Sequence, residues 1–136
     1  MKNNENPKYE IQRINTKIIC IYLTIFASLL FLIIYYKERA TLIDQQCGTN
    51  FRNNYPDTTH YNKIIVTIFI LTDSIFLYYA YTKLQDTINR YKKTGDDAGL
   101  DSSYNSFYAN LFEFTGTLII LYNIVTNKDS SINSLL

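Results

Sequence analysis

Polar and apolar positions fall in long blocks along this chain. Three apolar stretches stand apart from polar surroundings: 18–36 carries no charge, 64–82 carries only Asp73, and 104–126 carries only Glu113. Each has the length that an α-helix needs to cross the roughly 30 Å hydrocarbon core of a bilayer. The pattern therefore predicts an all-α protein, an integral membrane bundle of three transmembrane helices. Loops are expected over 37–63 and 83–103. Too little chain remains for a separate soluble domain, so residues 1–136 are read as a single membrane domain.

Local signals sharpen the boundaries. Asn6-Pro7 can open the first helix, with Pro7 where its missing N–H costs nothing, and Ile11, Ile14 and Ile18 continue at helical spacing. Turn and breaker residues cluster at Cys47-Gly48, Asn53-Asn54 and Tyr55-Pro56-Asp57. Thr58 or Thr59 is expected to cap the second helix. That helix extends past the membrane, because Leu84, Ile88 and Tyr91 prolong its stripe until Gly95 ends it. After the turn Asp96-Asp97-Ala98-Gly99, a cap for the third helix is expected from Asp101, Ser102 or Ser103. The polar tail after Thr126 is expected to fray.

Energetics decide whether the charged spans insert. Ten Leu, Ile, Phe or Val residues in 64–82 favour insertion by about 3 to 6 kcal/mol, against about 2.5 to 3.5 for a central Asp. The span inserts with little to spare. Lys2, Lys8, Arg13 and Lys17 precede the first span in the manner of a secretory signal. The apolar run is longer than a signal's core and no small-x-small site follows it, so a retained anchor is expected.

The net charge of +1 comes without a basic patch, which argues against nucleic acid. Richness in Ile, Asn, Lys and Tyr reflects the coding bias of an AT-rich genome. Cys20 lies inside a span and Cys47 outside it, depths that do not suit a disulfide. Lys and Arg number eight on the N-terminal segment and second loop, and five on the first loop and tail. This bias places the N-terminus on the cytoplasmic side, in a bacterial cell membrane sooner than an organelle membrane. Tyr22, Tyr78, Tyr79, Tyr81, Tyr104 and Tyr108 would form one interfacial belt, and Tyr35, Tyr36, Tyr61 and Tyr122 the other.

The two intramembrane acids are the candidate chemistry, since ionisable groups there are costly and usually functional. Counted from the cytoplasmic side, Asp73 sits about 13 Å in and Glu113 about 9 Å in, at 1.5 Å rise per residue. They fall within one helical turn in depth. Ser106, Ala109, Asn110, Glu113, Gly116 and Thr117 share one face of the third helix, where small and polar residues let helices approach and hydrogen-bond. Phe112, Leu118, Ile119 and Tyr122 form a bulky opposite face that suits lipid. Cys20, Thr24, Ala27 and Ser28 give the first helix a similar small face. The expected arrangement is a three-helix core with both carboxyls directed inward.

No Lys, Arg or His lies within a span, and removal from water favours a carboxyl's neutral form. The leading expectation is that both acids are protonated donors joining helices. A cation from another subunit and a proton or ion pathway are the alternatives. His60 reads as an interfacial polar residue and Cys47 as an exposed thiol. No phosphate loop, nucleophile elbow or paired-histidine site occurs, so neither an enzyme nor a cofactor is expected.

Two short motifs resemble the small three-helix subunit of respiratory NADH:quinone oxidoreductase. That family carries Glu-Cys-Gly in its first loop and Phe-Asp-x-Glu in its second helix. Gln46-Cys47-Gly48 and Thr72-Asp73-Ser74-Ile75 stand at a similar separation here, without the flanking glutamates. The resemblance implies a divergent subunit of a respiratory complex as a lesser alternative. The leading functional expectation is a non-enzymatic accessory or interaction subunit in contact with membrane lipid, forming homo- or hetero-oligomers through its transmembrane helices. A small oligomeric pore, holin-like or ion-conducting, is the runner-up.

Overall fold

The computed structural model describes residues 7–126. The polar tail after Thr126 lies outside them. Three α-helices account for nearly all of this length: α1 Pro7–Cys47, α2 Tyr61–Thr94 and α3 Leu100–Thr126, with a single 3₁₀ turn at Phe51–Asn54. No strand occurs among the described residues. All three helices are long and apolar enough to cross a membrane.

Helix α1 is already formed at Pro7, the first described residue, and continues eleven residues past Tyr36. The expected loop over 37–63 is therefore helical through Cys47. The segment from Lys37 to Gln46 holds Glu, Arg, Ala, Leu and Gln and no Gly or Pro, so nothing breaks the helix where the apolar stretch ends. Termination falls to Gly48, whose φ of 68° suits a residue without a Cβ. Its N–H donates to the Asp44 carbonyl at 2.9 Å.

At the start of α2 neither expected threonine caps the helix. The Thr59 N–H and hydroxyl both donate to Asp57 Oδ1, at 3.0 and 2.6 Å, and the Tyr61 N–H reaches the Thr58 carbonyl. Asp57 thus organises the turn. Its carboxyl is held below the ordinary carboxylate range, chiefly by the Thr59 hydroxyl and then the Thr59 N–H. Helix α2 runs 34 residues to Thr94, well past the 64–82 stretch, and Gly95 closes it through a bond to the Tyr91 carbonyl. Helix α3 begins at Leu100, so Asp101, Ser102 and Ser103 lie within its first turn and do not cap it. Asp101 there opposes the positive end of the helix dipole.

The chain forms two compact units, residues up to Thr72 and residues from Asp73 onward, with the boundary inside α2. In the first, α1 buries Cys20, Ala27, Leu30 and Ile34 at spacings of seven, three and four, a stripe along one face. The first part of α2 buries Ile65 and Val66, and the Phe31 and Phe69 rings stack with centroids 6.2 Å apart. In the second unit, α2 buries Asp73, Ala80 and Leu84, and α3 buries Ser103 and Thr117. The Tyr81 and Phe107 rings meet at 6.2 Å between them.

Candidate functional site

Asp73 and Thr117 meet in the second unit. The Thr117 hydroxyl donates to Asp73 Oδ2 at 2.6 Å, joining residues 44 apart in sequence. Both side chains are buried, Asp73 at 7% exposure and Thr117 at 9%. The same Thr117 oxygen stands 3.2 Å from the Glu113 backbone carbonyl, one turn back on its own helix. A threonine hydroxyl carries one hydrogen and two lone pairs, so it donates along one of these lines at a time.

Thr72 is 1% exposed and its hydroxyl bonds back to the Phe69 carbonyl at 3.1 Å, as hydroxyls within helices commonly do. Asn110 is half-buried, and its side-chain amide donates to the Ser106 carbonyl at 2.7 Å within α3.

Glu113 departs from the expectation that both carboxyls point inward. Its side chain is exposed, and among the described residues it has no hydrogen bond or ion pair. The inner stripe of α3 runs through Ser103, Phe107, Asn110, Phe114, Thr117 and Leu121, buried or half-buried at three- and four-residue spacing. Phenylalanines bury far more apolar surface than alanine or glycine, so Phe107 and Phe114 take the inward places. Ala109 and Glu113 turn out as a result. Gly116 is half-buried, but a Cβ built on it meets nothing within 4 Å. Its smallness serves no close approach among the described residues. The bulky face is where the sequence placed it, with Phe112 75%, Ile119 58% and Tyr122 67% exposed.

Sequence reasoning missed a second polar link. The Thr87 and Ser103 hydroxyls lie 3.2 Å apart, and Ser103 is 1% exposed. Thr87 sits three, seven and fourteen residues beyond buried Leu84, Ala80 and Asp73 in helical register, a signal hidden by the assignment of Ser103 to a cap. At the exposed end of the hairpin, Arg90 bonds the Ala98 carbonyl and pairs with Asp96 at 3.5 Å. Such an exposed pair contributes little to stability.

Cys20 is buried and Cys47 exposed, both as free thiols. Among the described residues no group of three or more His, Cys, Asp or Glu comes together to hold a metal. The arrangement is one of hydrogen-bonded helix contacts. No protein-family model, curated protein or solved structure matches the chain, so the resemblance to the respiratory subunit has no counterpart in these comparisons.

Proposed function

We propose that the chain is a multi-pass membrane protein acting as a non-enzymatic interaction subunit, which presents α3 to another transmembrane helix. The observation that carries this reading is the exposed, unpartnered Glu113 in the middle of the 104–126 stretch. A carboxyl facing lipid costs on the order of 3 kcal/mol even when the helix inserts. Contact with a polar group on a neighbouring helix removes much of that cost. Two further features support it. The α3 stretch is the least apolar of the three and the least covered, with 6% of its most apolar 18 residues buried. Ala109 and Gly116 flank Glu113 with small side chains, which admit a close helix. Asp73 has the complementary task of holding α2 to α3 through Thr117. The charge bias supports a cytoplasmic N-terminus.

Native gel electrophoresis in mild detergent tests the reading. An assembly heavier than the 15.9 kDa chain is expected, retained by Glu113→Gln, which keeps hydrogen-bonding capacity, and lost with Glu113→Leu. A monomer for the unsubstituted protein overturns it.

A further inference from the structure

Beyond the membrane boundary, α1 and the chain that folds back on it form a half-open cavity of about 430 Å³, lined by Tyr36, Arg39, Ile43, Phe51, Asn54 and Tyr55 among others. Asp44 builds this shape. Its Oδ1 accepts the Thr49 hydroxyl at 2.6 Å and the Phe51 N–H at 2.7 Å, and its Oδ2 accepts the Arg52 N–H at 2.9 Å. These bonds press the 3₁₀ turn against the last turns of α1.

The cavity's chemistry has one sign. Arg39 is its only charged lining residue, and no carboxylate lines it. Of the nearby acids, Asp44 is engaged by the turn and Asp57 by Thr59, and Glu38, next to Arg39 in sequence, does not line the cavity. Lys37 donates to the Pro56 carbonyl at 2.9 Å. Among the described residues Arg39 has no ion pair, and the side-chain amide of Asn54 has no partner. A guanidinium offers a planar fork that matches phosphate oxygens, and Asn54 and the two tyrosines add neutral donors. The location selects the source of the phosphate. Tyr36 closes the charge-free stretch, and Arg39 lies three residues on, about 4.5 Å along the helix. That is headgroup level, with aromatic walls below.

We propose that this cavity binds the phosphate headgroup of an anionic membrane phospholipid, with Arg39 on the phosphate and Asn54 beside it. The proposal rests on the membrane reading above. Protein recovered from membranes is placed in mixed micelles holding phosphatidylglycerol and phosphatidylcholine in equal amounts, and retained lipid is counted by native mass spectrometry. The unsubstituted protein is expected to retain phosphatidylglycerol about fivefold over phosphatidylcholine, the preference that one interfacial cation provides. Arg39→Gln and Asn54→Ala, checked for unchanged helicity, are expected to reduce that preference. Lys93→Gln, in the last turn of α2, is expected to leave it intact. Equal retention by the unsubstituted protein, or an undiminished preference in Arg39→Gln, overturns the site while leaving the membrane reading standing. Displacement by millimolar inorganic phosphate overturns the lipid assignment in favour of a soluble anion. Release of the protein from membranes by alkaline carbonate removes the membrane reading itself, and the lipid site with it.

Discussion

The Thr117 hydroxyl reaches Asp73 Oδ2 at 2.6 Å across two helices, spending the carboxyl of the second span on the third. In lipid a buried carboxyl without a partner is costly, and helix association depends on packing and hydrogen bonds. This single contact turns a liability into a clamp. Thr117→Val removes the donor and keeps the shape, and the loss expected in a reversible detergent-unfolding assay is about 0.6 to 1.7 kcal/mol. Asp73→Asn retains an acceptor and is expected to cost less than Asp73→Leu. In a double-mutant cycle, Asp73→Leu and Thr117→Val should be clearly non-additive. Additive losses would mean that the two residues do not act as a pair.

Gly116 gives a test of the opposite sign. The added methyl of Gly116→Ala meets open space, and alanine favours a helix interior by about 0.5 to 1 kcal/mol over glycine. The isolated chain is expected to unfold later in the same assay. A destabilised chain would restore the close approach that the sequence pattern predicts. Loss of the assembly on native gels, with the chain itself stabilised, is expected if the partner helix packs on this glycine.

Much of the architecture is legible in the sequence because bilayer thickness imposes a length that few soluble helices mimic. The spans, the prolongation of α2 to Gly95, and the outward Phe112, Ile119 and Tyr122 all follow from periodicity and length. Rotation about the helix axis is less legible. The face that reads as small and polar, through Ala109, Glu113 and Gly116, competes with one through Phe107 and Phe114 that shares Asn110 and Thr117. In this chain the aromatics win. Asn110 and Thr117 belong to both faces, so those two residues are placed inward by either reading. The extent of α1 is misread for a different reason. Lys37 ends the apolar run but not the helix, since charge and helix propensity are independent.

The turn built on Asp44 has a defined pH response. Desolvation raises the Asp44 carboxyl's pKa. The Thr49 hydroxyl, the Arg52 and Phe51 N–H groups and the Arg52 charge outweigh this and hold it below its ordinary value of 3.8. A group whose pKa is depressed by folding stabilises the fold above its unfolded value and loses that contribution as pH falls through the folded one. Amide exchange at Phe51 and Arg52, corrected for intrinsic rates, is expected to stay protected at pH 5 and above. Protection should fade as pH drops below 3.8. Asp44→Ala should abolish it at all pH values, and protection equal to that of the unsubstituted chain would remove Asp44 from this role.

Conduction separates the interaction subunit from the oligomeric pore. Asp73 is engaged by Thr117 and both are buried, which leaves Asp73 unavailable to carry ions. Liposomes carrying the protein are therefore expected to stay tight to protons and small cations between pH 5 and 8. A leak that Glu113→Gln alters would assign α3 to the wall of a pore.

The most direct measurement is thiol labelling at Leu71→Cys in membranes opened to reagent on both faces. Leu71 lies in the middle of the 64–82 stretch at 51% exposure, so its surroundings alone decide whether a charged maleimide reaches it. Cys47, exposed and outside the apolar stretches, serves as the internal reference. Rapid labelling of Cys47, with position 71 unreactive until detergent dissolves the bilayer, is expected for a helix whose centre faces lipid. Equal labelling of both in intact membranes would contradict membrane insertion and every role assigned to Asp73 and Glu113.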